Sequence, residues 1–167
     1  VKFADRLIHY IVLVARVGTG ISFAVLIAAV LIQVVGRTLG ASPVWTEELT
    51  RFALLFTVAF GAGLSFRTGD LVNVDVVCES LPGRAPWVLR LVAAAATLGL
   101  AAYLLPHAWR FMSIGRMQTS PALGLRMDVA HSTIVLMLAL LALFGLLRIF
   151  GMLSGAEDGK PVKPEEE

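Results

Sequence analysis

The chain is patterned by long runs without a charge, each closed at both ends by a charged residue. Val17 to Gly36 is a run of 20 such residues between Arg16 and Arg37. Leu91 to Trp109 is a run of 19 between Arg90 and Arg110, and Val129 to Leu147 is a run of 19 between Asp128 and Arg148. A helix needs roughly 20 apolar residues to cross ~30 Å of hydrocarbon, whereas a tilted strand needs only about 10. These three runs predict helical spans. A fourth, Phe52 to Phe66, holds only 15 residues between Arg51 and Arg67. At about 1.5 Å per residue it falls short of the hydrocarbon thickness. Beginning that helix at Pro43 removes the deficit. Ser42 suits the N-cap, Pro43 suits the first helical position, and Glu47 and Glu48 then fall early, where the helix dipole favours acids.

The predicted fold is an all-α integral membrane protein with four transmembrane helices, at about 17–36, 43–66, 87–109 and 129–150, in one membrane domain over residues 1–153. The first run is too long for a signal-peptide core and no small-x-small site follows it, so it is expected to be a retained span. Between the second and third spans, Leu71, Val72, Val74, Val76, Val77 and Leu81 alternate with polar positions, which predicts a short interfacial helix. From Ser154 onward little besides Val162 can be buried, and a disordered tail is expected.

Composition agrees with the pattern. The chain is 57% hydrophobic and 16% charged, against about a quarter charged in an ordinary soluble domain. Its surface therefore meets membrane lipid. A formal net charge of +2, scattered along 167 residues, offers no nucleic-acid surface. The lone Cys78 excludes an internal disulfide framework. Lysines and arginines set the orientation. Lys2, Arg6, Arg16, Arg67, Arg84, Arg90, Arg148, Lys160 and Lys163 lie on one side, nine in all. Arg37, Arg51, Arg110, Arg116 and Arg126, five in all, lie on the other. Both termini are accordingly expected in the cytoplasm.

Chemistry is sparse. No phosphate loop, nucleophile elbow or triad spacing is present, so no catalytic residue is assigned and the chain is expected not to be an enzyme. His9, His107 and His131 sit on three different segments, and no metal-ligand constellation is visible. His107 closes the third span and His131 opens the fourth, which leaves a haem-bearing redox anchor as a rival reading. A self-sufficient small transporter is a second rival, but the first, third and fourth apolar runs lack the carboxylate that an ion-coupled antiporter wants. Gln33 is read as a helix–helix hydrogen bond. Ala59, Gly61 and Gly63, and the run Ala93 to Ala96 with Gly99, Ala101 and Ala102, permit close helix packing, within this chain or against a partner. Glu47 and Arg51 are four apart and are expected to pair, leaving Glu48 to reach another helix of this chain or of a partner. Trp45 is expected to anchor the helix at the interface.

Three motifs, in order and at span boundaries, carry a family resemblance. Trp45-Thr46-Glu47-Glu48-Leu49-Thr50-Arg51 resembles the W-x-E-E-x-x-R signature of the small membrane subunit of tripartite ATP-independent periplasmic (TRAP) transporters. The stretch from Arg67 through Gly69 to Val74 and Asp75 resembles that family's R-x-G-x-H-x-x-V-D pattern, but lacks the His. Gln118-Thr119-Ser120-Pro121-Ala122-Leu123-Gly124 resembles its Q-x-S-P-A-L loop before the last span. The resemblance covers roughly residues 5–153. It implies a non-catalytic small subunit, without cofactor, that packs against a large membrane subunit moving an organic acid with a sodium gradient. It also implies a periplasmic substrate-binding protein as partner and a contribution to its docking surface. On this resemblance the partner-facing residues are Trp45, Glu47, Glu48, Arg51, Gln118, Ser120, Pro121, Ala122 and Leu123.

Overall fold

The structure, a computed structural model, describes residues 2–41, 43–68 and 85–154. Within them are four helices: α1 (Lys2–Thr38), α2 (Trp45–Thr68), α3 (Ala85–Gly115) and α4 (Met127–Leu153). Each is long and apolar enough to cross a membrane, and no strand is present among the described residues. The chain is an all-α, four-span integral membrane protein. The expected cap at Ser42, interfacial helix within 69–84 and disordered tail after Ser154 lie outside the described residues.

The helices overrun the charge-free runs that predict them. A backbone that is already hydrogen-bonded need not unwind at the membrane surface, so helices continue into the headgroups. α1 has 37 residues, of which Ile8–Thr38 form the membrane-crossing part. α3 passes through Pro106 and Arg110 to Gly115, so the proline does not end it. α2 begins at Trp45 rather than at Pro43. Pro43 stands just before the helix and turns the chain into it: its carbonyl accepts from the Thr46 amide at 3.3 Å and from the Thr46 hydroxyl at 2.6 Å. α1 ends in a Schellman arrangement. The Ala41 amide donates to the Gly36 carbonyl at 2.9 Å and the Gly40 amide to Arg37 at 3.2 Å, with Gly40 at φ 74°.

Hydroxyls inside the spans bond within their own helices. Thr19 donates to the Ala15 carbonyl, Thr57 to Ala53 and Thr97 to Ala93, at 2.8–2.9 Å. In hydrocarbon this matters, because no water would satisfy them.

The described chain divides into two compact units. The first holds the described residues of 1–61 and 108–136, the second those of 62–107 and 137–167. In the first, Ala15, Ala29, Phe52, Ala53, Ala59, Ala108 and Ala130 are buried; in the second, Phe66, Ala94, Ala101, Leu138, Leu140, Phe144 and Met152 are. Alanines and glycines fill most contacts because helices in lipid gain from close backbone approach rather than from expelling water. In the second unit a Cβ on Gly63 would lie 2.8 Å from Leu140 Cβ, so only glycine permits that approach. The large side chains instead face outward: Phe23, Leu31, Val92, Leu100, Tyr103 and Phe150 are all more than half exposed. α1 is the least covered helix. Only 6% of its most apolar window is buried, against 28% for α2.

Candidate partner-facing site

The first unit brings two of the sequence motifs together. α2 opens with Trp45 and buries Thr46 completely, and this fixes the rotation of its first turn. Glu48 is then turned toward the connection between α3 and α4. One of its oxygens, Oε2, accepts the backbone amides of Ala122 and Leu123, both at 3.0 Å. The Ser120 side chain and the Ala122 and Leu123 amides beside this carboxylate hold its pKa below the ordinary value. Consecutive amides converging on one oxygen form a small anion-receptive concavity, and here the anion is supplied by the chain itself.

The loop that offers those amides is built for it. Ser120 is 3% exposed, although it lies outside any helix. Its amide donates to the Leu125 carbonyl at 2.7 Å, its carbonyl accepts from Gly124 at 3.0 Å, and its hydroxyl accepts from Leu123 at 3.3 Å. Pro121 has no amide proton, so Ala122 and Leu123 are the first donors after the bend. Gly124 closes the turn at φ 65°, a conformation that side chains other than glycine rarely adopt. The base is stapled by a Thr119–Arg126 bridge and by the Met127 amide donating to the Gln118 carbonyl at 2.9 Å. Pro121 and Ala122 are exposed, as are Gln118 and Thr119.

The other expected site residues behave differently. Glu47 does not pair with Arg51: no ion pair within 4.0 Å joins them, and Glu47 Oε1 instead accepts from Gln33 Nε2 on α1 at 3.4 Å. Four-residue spacing permits such a pair, but at an exposed site its small gain does not hold two long side chains together. Gln33 thus makes an interhelical bond, although a long one. Arg51 is exposed and lies near enough to act electrostatically on Glu48. Trp45 is 39% exposed beside the loop-facing turn. Glu48 reaches a loop of its own chain rather than another helix.

One cluster is not legible in the motifs. Asp128, in the first turn of α4, is held by Arg126 at 2.7 Å and lies 3.9 Å from Arg116. Beside it, the His131 ring lies against Phe111, tilted by 32° with 4.0 Å between centroids, and Gly115 leaves room for the ring. The only sequence signal was Arg126-Met127-Asp128 at the helix start. His107 belongs to the other unit and is exposed, with its Nδ1 3.1 Å from the Tyr103 carbonyl of its own helix. Among the described residues no group of three or more His, Cys, Asp or Glu could share a metal ion.

Comparison with known proteins places this geometry in context. A family model described as "Tripartite ATP-independent periplasmic transporters, DctQ component" matches residues 26–155. The isethionate TRAP transporter permease protein DctMQ of Oleidesulfovibrio alaskensis is 28% identical over 122 residues, which cover 66% of this chain and 19% of that protein. The chain thus spans about a fifth of the length of that relative. Both the first and third sequence motifs fall inside the matched family region.

Proposed function

This chain belongs to the DctQ component family of the tripartite ATP-independent periplasmic transporters, and from that premise we propose how it serves as the small permease subunit. It lies in the bacterial inner membrane with both termini cytoplasmic. It braces a large membrane subunit that moves a small organic anion with a sodium gradient. Its end bearing the start of α2 and the 116–126 loop faces the periplasm and helps receive the substrate-binding protein.

The observation that carries this reading is the Glu48 carboxylate holding the Ala122 and Leu123 amides. A loop outside the helices ordinarily remains mobile. This one is cross-braced to a span, which gives a fixed surface on which a soluble partner can settle with little ordering cost. One further point supports it. The related permease devotes about four-fifths of its length to other sequence, which fits a division of labour between a small supporting part and a larger one. The relative's name specifies isethionate, a small organic sulfonate.

The test is co-expression of this chain with its large membrane subunit, followed by purification in mild detergent and reconstitution with the binding protein. Stoichiometric recovery of the large subunit is expected, with uptake that needs sodium, the binding protein and both membrane chains. Uptake by the large subunit alone at the full rate, or by this chain alone, would refute the supporting role.

A further inference from the structure

At the foot of the 116–126 loop, α3 and α4 meet through His131, whose ring lies against Phe111 of α3. A Cβ on Gly115 would stand 2.5 Å from His131 Nδ1 and 2.8 Å from the Asp128 amide nitrogen, so the glycine makes the notch that the ring fills. Nδ1 is buried there and makes no hydrogen bond, while the residue as a whole is only half-buried. A neutral imidazole carries one N–H and one bare nitrogen. An N–H buried without an acceptor is costly. The bare nitrogen therefore faces the notch, and the proton sits on Nε2.

Protonation removes that choice, because both nitrogens of a charged imidazole are donors. In the notch Nδ1 has no acceptor in reach. The Phe111 face attracts a cation, but it does not replace an acceptor for a buried N–H. One carboxylate is near. Asp128 precedes His131 by three positions on α4, so the two share a helix face. Asp128 is engaged by Arg126 at 2.7 Å and approached by Arg116 at 3.9 Å. The other charged groups at this end of the unit are Arg37 on α1, Glu47, Glu48 and Arg51 on α2, and Arg110 on α3. Among the described residues no hydrogen bond or ion pair joins any of them to the ring, and Glu48 is held by the Ala122 and Leu123 amides.

We propose that His131 is a proton-operated latch for the loop. Neutral, it fills the notch between Phe111 and Gly115; protonated, it leaves the notch and takes the Asp128 carboxylate from Arg126. The exchange unfastens the base of the loop, because Arg126 is one half of the Thr119–Arg126 bridge and Met127 beside it donates to the Gln118 carbonyl at 2.9 Å. Histidine is the side chain whose charge ordinarily changes between pH 5 and 8, and carboxylates stay charged across that window. The latch is closed at the upper end of the window and opens as the pH falls through it. As a control on partner docking it rests on the periplasmic role proposed above. As a property of the loop it does not, and the loop alone is what the experiment reads.

Amide hydrogen exchange of the full chain in nanodiscs, at pH 8 and pH 5.5 with intrinsic rates corrected for pH, tests this. The Ser120 and Met127 amides both bond across the loop. Their protection should fall about threefold to fivefold at the lower pH, the size of an exposed ion pair's contribution. His131→Phe fills the notch without a titrating nitrogen and should keep protection equal at both pH values; His131→Gln serves beside it should the phenyl ring disturb folding. Asp128→Asn should leave the loop base equally loose at both, since no carboxylate remains to change partner. His107→Gln, in the other unit, should respond as the wild type does. Equal protection of the wild type at both pH values, or a response that survives in both His131 variants, would overturn the latch. A response that persists in Asp128→Asn would show that the charged ring merely repels the arginines, and the exchange of partners would be wrong.

Discussion

Arginines at the 116–128 end of the first unit and at the α2–α4 rim of the second solve the same problem by different means. Arg116 and Arg126, with side chains 57% and 56% exposed, gather around Asp128. Arg67 and Arg148 lie on buried phenyl rings. The first arrangement spends charge on charge in a place water reaches, where such pairs contribute little. The second uses the arginine stem and ring face as packing material, so that its loss disturbs the apolar interior. Stability should therefore rest far more on the aromatic rim than on the exposed pair.

The sharpest way to break this comparison is Phe144→Ala. Removing a buried ring costs about 3–5 kcal/mol in water-soluble cores. In a bilayer, part of the transfer contribution disappears because the alternative environment is also apolar, so a loss of about 3 kcal/mol is expected. Phe144→Leu should recover most of it by refilling the volume while removing the cation's aromatic seat. Unfolding of the purified chain in mixed micelles measures both. If Phe144→Ala is no costlier than the truncation of an exposed arginine, the rim is not a packing element.

Two adjacent glutamates give a second contrast. Glu48→Ala strips the acceptor from the Ala122 and Leu123 amides, so hydrogen exchange at these two positions should accelerate while the helices keep their protection. Glu47→Ala, which loses only a 3.4 Å contact with Gln33, should leave the loop's exchange untouched. Equal exchange in both variants would show that the turn stands without the carboxylate, and the case for a braced docking loop would fall with it.

Those glutamates also show how far sequence carries. Four spans are legible because hydrocarbon excludes charge, so a gap between charges measures a span directly. The Q-x-S-P-A-L and W-x-E-E-x-x-R segments were legible as separate motifs, but not as contact partners. Glu48 is 74 residues from Ala122 along the chain, and no periodicity reports on a contact at that separation. The expected Glu47–Arg51 pair failed for a related reason. Spacing says which side chains can meet, whereas the competing partner, Gln33, comes from another helix. The third helix runs past Trp109 to Gly115 because charge marks the edge of the hydrocarbon, not the end of the hydrogen-bonded backbone. Pro43, chosen for length and capping, instead turns the chain into a helix that starts at Trp45.

The smallest effect belongs to Arg126→Ala. Arg126 Nη2 donates to Asp128 Oδ2 at 2.7 Å, which is good geometry, but the arginine side chain is 56% exposed. An exposed ion pair typically contributes under about 1 kcal/mol and is screened by salt. Asp128 also keeps two other sources of support. It sits in the first turn of α4, where the helix dipole favours a carboxylate, and Arg116 Nε stands 3.9 Å away, able to move closer. Arg126→Ala should therefore cost less than about 1 kcal/mol, and raising the salt should narrow the gap to the wild type. The Arg67 contact, seated on a buried ring, should respond far less to salt in the same titration. A salt-insensitive loss above that bound at Arg126 would mean that the pair is shielded from water, and the contrast between the two ends would fail.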